Sequence, residues 1–289
     1  MRVYLDSRDL IVLVERKAPE ATAHFEEALR QGSSQLVYSM YNIIECCAPL
    51  VRGGEGSEVM RSMNRLEQLP HVYVAETRIT MLELKEAAAA FLERREYSDI
   101  TLPLVPRFDY VVSGFEDPPT MQYLRYGLAQ VIYDLWNTDK SLLVGDPASA
   151  KRLRELRASD RSRNDYKRHG PNFRNTVARN LRLYGIGFPE DMVQPLSAWI
   201  YQNPTRCPAQ RLEYEVYHKV LRNLADGGED SDIPDFSHIS CVPYCDAITL
   251  DRRMRGYVAQ VDLSIGTQFA AKIYRNVDEV EALLQPTAA

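Results

Sequence analysis

The chain has 289 residues, 45% hydrophobic and 26% charged, with a formal net charge of −5. That suits a normal buried core, in one large domain or two modest ones. No run approaches the ~18 apolar residues of a membrane span, which excludes a membrane protein of that kind.

The pattern opens on a buried strand over residues 2–6. Helical spacing follows from Asp9 to Arg16 and again from Pro19 to Arg30. Gly32-Ser33-Ser34 is a turn, and Gln35 to Ser39 a second strand. Met40 to Val51 reads as a helix with Ile43, Ile44 and Cys47 as its buried stripe. Glycines 53, 54 and 56 break it, and Pro70 closes a further helix over Ser57–Leu69. His71 to Ala75 is a third strand, and Thr80 to Arg94 an alanine-rich amphipathic helix. From Tyr97 to Pro118 prolines and aromatics predict irregular chain. Helices are then expected over Thr120–Trp136, Ala148–Arg157, Asn172–Leu183, Pro189–Tyr201 and Ala209–Asp226. Residues 227–232 form a loop. The alternating grammar returns with a helix over Pro234–Val242, a strand over Ala247–Thr249, a strand near Gln268–Tyr274 and a helix over Val277–Leu284. The reading divides the chain into an α/β core in two parts, 1–95 and 230–289, around a mainly helical insertion, 96–229.

The first residues read directly as a strand, so export is not expected. Five cysteines, two of them adjacent (Cys46 and Cys47), make a poor disulfide framework and fit a reducing cytoplasm. Cys241 and Cys245 find no second close pair to complete a zinc site. The charge is uneven. Residues 151–182 hold eleven bases and three acids, a net of +8, so the rest of the chain carries −13. Such a block is a candidate polyanion contact, and Arg161, Arg163, Lys167 and Arg168 lie at its centre. The competing reading is a solvated helix face. Among the aromatics, Phe108, Tyr110, Phe115, Tyr123 and Tyr126 could stack bases or fill core.

Four acids fall where a strand meets a helix: Asp6, Glu45, Asp235 and Asp251. In an open α/β sheet those positions converge at the carboxyl ends of the strands. Carboxylates gathered there repel one another unless a cation neutralises them. Capping is the alternative for Asp6 and Asp235, since each precedes or opens a helix. Glu45 lies in an apolar helical stretch, where an unpaired carboxylate is costly. Arg8, two residues after Asp6, stands where phosphotransferases with a strand-end nucleophile carry a second acid. His238 shares a helix face with Asp235 and reads as a supporting group, as does Thr249, which can orient a neighbouring carboxylate. Asp246, at the opposite end of its strand, reads as structural or peripheral. No phosphate loop, dinucleotide fingerprint or His-Glu-x-x-His motif is present.

In their order, the strand-ending Asp6, Ser39-x5-Glu45, Asp235-x-x-His238 and Thr249-x-Asp251 resemble the PIN-domain ribonucleases. The resemblance covers about residues 1–95 and 230–289. It implies a PIN-like three-layer α/β/α core with a central parallel sheet, interrupted by the insertion. It also implies that Asp6, Glu45, Asp235 and Asp251 hold one or two Mg²⁺ or Mn²⁺ ions for hydrolysis of RNA. The family's Ser-x-x-Thr-x-x-Glu pattern falls on Ser39, Asn42 and Glu45, with Asn42 in place of the threonine, so Ser39 and Asn42 are expected to support the site. The expected partner is RNA. The rival expectations are a non-cleaving PIN-like RNA- or protein-binding module, and a toxin component held by an antitoxin-like protein.

Overall fold

A computed structural model of the protein describes residues 1–15, 19–47, 56–113, 127–138, 155, 169–223 and 232–285. Six strands form one sheet: β1 (Arg2–Tyr4), β2 (Gln35–Tyr38), β3 (His71–Val74), β4 (Leu104–Val105), β5 (Ala247–Thr249) and β6 (Ile273–Tyr274). Their order is β4-β3-β2-β1-β5-β6. All pairings are parallel except β3 with β4. The central sheet is therefore parallel with one antiparallel edge strand. Leu104–Val105, expected as irregular chain, supplies that edge. Two residues are too short a run for period-2 alternation to show.

Helices cover both faces. The first half contributes α1 (Ser7–Glu15), α2 (Pro19–Gln31), α3 (Met40–Cys46), α4 (Gly56–Gln68) and α5 (Thr77–Glu93). Between β4 and β5 the described elements are helical: α6 (Phe108–Ser113), α7 (Leu128–Thr138), α8 (His169–Leu183), α9 (Val193–Gln202), α10 (Pro208–Arg222) and α11 (Asp232–Ile239). The chain then runs through α12 (Arg252–Ile265) and α13 (Val277–Leu284). The architecture is thus three-layered, α/β/α, with a large helical stretch interrupting the sheet.

Strand alternation produces the layers. Val3, Leu5, Leu36, Tyr38, Tyr73 and Ala247 point into one core, with α1 to α4, α6, α7 and α13. Tyr4, Val37, Val74 and Ile248 point into the other, with α10, α11 and α12. A third apolar cluster lies away from the sheet. There Leu84, Ala87 and Ala88 of α5 meet Phe173, Val177 and Leu181 of α8 and Leu196 and Ile200 of α9. Helix α5 therefore belongs both to the sheet layer and to the helical stretch. Phe108 is core.

The helix implied after Asp251 is present, and the strand expected last is shorter than its reading. Residues 252–265 are a helix, whose buried Met254, Tyr257, Val258 and Val261 recur at i, i+3, i+4 and i+7. Arg252, Arg253 and Arg255 dilute that stripe at its start. The expected strand near Gln268–Tyr274 is a 3-10 turn over Phe269–Lys272 followed by the short β6. The helix expected over 148–157 lies outside the described residues apart from Glu155. Arg161, Arg163, Lys167 and Arg168 lie outside them as well. All five cysteines are buried and unbridged. Among the described residues no helix is long and apolar enough to cross a membrane.

Candidate metal centre

The strand order reverses at β1. The chain moves outward through β2 and β3, then returns to the other flank of β1 as β5. The crevice outside the carboxyl ends of β1 and β5 is the place where open α/β sheets bind ligands. Asp6 follows β1 there, Asp251 follows β5, and α3 brings Glu45 from beyond β2.

Asp6, Glu45 and His238 each present a ligating atom, and these atoms all lie within 4.8 Å of one another. The main chain fixes Asp6. Its N–H donates to Thr249 Oγ1 at 2.8 Å, and its carbonyl accepts from Asp9 and Leu10 at the start of α1. Capping of α1 is therefore a main-chain matter, and the carboxylate is left for the crevice. Burial raises the Asp6 pKa, and the Glu45 charge adds to that while His238 opposes it.

Glu45 is held from two sides. Ser7 Oγ donates to its Oε2, and so does His238 Nε2, at 3.1 Å. Burial alone would push this carboxyl up. The hydrogen bond and charge of His238, with Ser7, hold it below its ordinary value. His238 is the reciprocal case. Burial would lower its pKa, but the hydrogen bond and charge of Glu45, with the charge of Asp6, raise it. Its Nδ1 lies 2.5 Å from Tyr4 Oη, Tyr4 Oη lies 2.8 Å from Ser39 Oγ, and Ser39 Oγ donates to Asn42 Oδ1 at 3.2 Å. With His238 as an imidazolium, every donor in this chain meets an acceptor. Asn42 Nδ2 also donates to the carbonyl of Leu5, next to Asp6, at 3.1 Å. Ser39 and Asn42 thus act through Tyr4 and the β1 main chain. They also close the capping box of α3.

Asp235 and Asp251 lie outside that group of three but belong to the same field. Asp251 Oδ1 caps α12, accepting from Met254 N at 2.8 Å. Asp235 Oδ2 faces Arg253 at 3.4 Å. Burial, then the charges of Asp251, Glu45 and Asp6, push Asp235 up to about 7. Arg253, at the outer limit of a hydrogen bond, does not offset them. Asp246 lies at the opposite end of the sheet, accepting from Arg2 N at 2.7 Å. Sequence reading did not single out Tyr4 or Ser7. Ser7 adjoins Asp6, but nothing in its spacing announces a bond across 38 residues.

The donor set suits a hard divalent cation, which takes carboxylate oxygens and tolerates an imidazole. The raised Asp6 and Asp235 show the matching electrostatic strain: buried negative charge with too little positive charge nearby. Asp235 also ties stability to pH. Its folded-state pKa is raised from 3.8 to about 7. Its contribution is complete below the unfolded value and is lost as pH rises through about 7. Asp235→Asn should therefore melt higher than wild type at pH 8 in EDTA, by up to ~4 kcal/mol, with the gap closing toward pH 4. If the variant melts lower at pH 8, the Arg253 pair rather than the repulsion governs this residue.

Comparison with protein-family models, with curated proteins and with solved structures finds no match.

Proposed function

We propose that the protein is a metal-dependent ribonuclease of PIN-like kind. The observation that carries this reading is the convergence of Asp6, Glu45 and His238 at the point where the strand order reverses. Asp235 and Asp251 add charge to the same crevice. Asp6 and Glu45, with Asp235 and Asp251 beside them, would hold a Mg²⁺ or Mn²⁺ ion. When bound, such an ion stabilises charge on phosphoryl oxygens and lowers the pKa of water, so no protein nucleophile is needed.

The protein's own residues do the positioning. Thr249 fixes the main chain of Asp6. Ser7 and His238 orient Glu45, and Tyr4 orients His238. Without a cation, the imidazolium of His238 partly balances Glu45 and Asp6. Loss of hydrolysis of mixed RNAs on replacing Mn²⁺ with EDTA tests the reading. RNA binding with no turnover under either condition would make the protein a binding module instead.

The basic segment fits the same reading. A crevice of acids on a chain that is otherwise −13 repels RNA, so attraction must come from residues 151–182. Reversing Arg161, Arg163, Lys167 and Arg168 to Glu should weaken RNA binding more than ~10-fold at low salt and flatten its salt dependence, because fewer counterions are released. Mn²⁺ affinity should not change. Equal affinities and equal salt slopes for both proteins would reduce the segment to a solvated surface.

A further inference from the structure

A cleft of about 470 Å³ lies between α8, α10 and α11. Helix α11 is a wall it shares with the crevice of acids. Phe236 and Ser237 line the cleft, while Asp235 and His238 on either side of them belong to the acidic site. A neighbouring cavity of about 300 Å³ shares Glu213 and Ser237 and reaches Tyr41, one helical turn before Glu45. The cleft and its neighbour therefore adjoin the site along two helices, α11 and α3.

The cleft is lined unlike an ordinary gap between helices. Helix α10 presents Gln210, Glu213, Tyr214 and Tyr217 to it, at i, i+3, i+4 and i+7. The aliphatic stripe of α10, Ala209, Leu212, Val216 and Val220, faces the core, so the cleft is lined by a second face of the helix that is polar and aromatic. Helix α8 answers with Thr176, Arg179 and Asn180. Gln210 is only 3% exposed, yet among the described residues neither its Nε2 nor its Oε1 has a hydrogen-bond partner. Two unmet groups on one buried amide are costly, and native structures seldom keep them without use. Glu213 stands one turn along. Burial and then the Glu83 carboxylate both push it the same way, up to about 8, so it too is short of donors. Aromatic rings flank the pair: Tyr217 meets Phe236 edge-on with centroids 5.5 Å apart, and Tyr214 lies 4.3 Å from His218.

Resting on the ribonuclease reading, we propose that this cleft binds one base of the RNA beside the cleavage site, a guanine, read on its edge by Gln210 and Glu213. Guanine alone among the four bases turns two adjacent donors, N1–H and N2–H₂, toward a carboxylate. Its O6 and N7 accept from an amide. A ligand of that pattern supplies donors to the Glu213 carboxylate and an acceptor to the unmet Nε2 of Gln210. The tyrosines and Phe236 offer faces for the purine ring. Arg179, exposed at the mouth, is placed for a phosphate.

The test uses the full chain in EDTA, titrated calorimetrically with GMP, AMP, CMP and UMP. Wild type should bind GMP at least tenfold tighter than the other three. The near-isosteric Glu213→Gln should lose at least tenfold in GMP affinity while melting no lower than wild type, since its amide does not titrate as the raised carboxyl does. Gln210→Leu should also lose GMP but melt higher than wild type, since it removes an unpaired buried amide. A merely structural glutamine would give the opposite shift. Equal affinities for the four nucleotides, preference for another base, or undiminished GMP binding by Glu213→Gln overturns the proposal. Mapping Mn²⁺-dependent cuts in a mixed RNA separates the two readings. Cuts without preference for guanosine sink the cleft assignment and leave the nuclease. GMP binding with no cuts sinks the nuclease and leaves a base-binding cleft.

Discussion

Asp6→Asn should lower Mn²⁺-dependent hydrolysis of RNA by at least ~10³-fold, while the protein stays folded and melts no lower than wild type in EDTA. The two halves of this result have separate causes. Among the described residues, the bonds that tie Asp6 into the fold are made by its main chain, to Thr249, Asp9 and Leu10, and the amide variant keeps them all. The side chain shares a 4.8 Å cluster with Glu45 and His238. There burial and Glu45 already raise its pKa. An amide removes charge from a crowded site, which relieves repulsion when no cation is present and weakens binding when one is. Rates on a mixed RNA and melting curves in EDTA measure the two halves. Activity within tenfold of wild type would sink the site, and a melting point lower by several degrees would make Asp6 a structural acid.

The sheet was legible because its strands alternate. Val3 and Leu5 face one core and Tyr4 the other, and in sequence they are three apolar residues ending on an acid. Topology does the rest for Asp6 and Glu45. Parallel strands with helical returns place their carboxyl ends on one edge, so residues far apart in sequence meet there. The start of helix α12 follows from Asp251 at a strand-to-helix junction, but its extent is not legible although its stripe is regular, because its first turn carries three arginines. Asp251 is the cap of that helix, which accounts for its place just after β5.

His238 shows where sequence reading stops. A histidine three residues after an acid announces a shared face and nothing about its partners. Its charge depends on Glu45, 193 residues away, and its orientation on Tyr4, 234 residues away. The cleft is hidden for the same reason. Gln210, Glu213, Tyr214 and Tyr217 form an obvious stripe on α10, yet only the packing of α8 and α11 makes that stripe the wall of a cavity. Of the aromatics that sequence offers for stacking, Phe108 is spent in the core and Tyr110 lines another cavity, while Phe115, Tyr123 and Tyr126 lie outside the described residues.

Glu83→Ala should destabilise the protein by about 4 kcal/mol, a fall in melting temperature of roughly 10 °C, because this residue fastens the helical stretch to the sheet layer. Helix α10 begins badly by itself. Its N-cap Cys207 sits in the left-handed region at φ 53 and provides no side-chain cap, so the first N–H groups of the helix need acceptors from elsewhere. Glu83, fully buried on α5, supplies them. Ala209 N donates to its Oε1 at 2.7 Å and Gln210 N to its Oε2 at 3.0 Å, while Tyr244 Oη donates to Oε1 at 2.5 Å. Alanine leaves two buried N–H groups and the part-buried Tyr244 hydroxyl without this acceptor, each buried group costing about 1–3 kcal/mol less whatever relaxation recovers. Glu83→Gln separates charge from shape. Despite its donors, burial pushes the carboxyl up from 4.5 to about 7. The stability that this raised pKa contributes is complete below the unfolded value and is lost as pH rises through about 7. The glutamine variant does not titrate, so its deficit against wild type should be largest near pH 5 and shrink by pH 8. Melting curves for the three proteins at both pH values decide the matter. An alanine variant within about 3 °C of wild type would mean that water replaces the carboxylate at this junction. The helical stretch would then be held to the core by its apolar contacts alone.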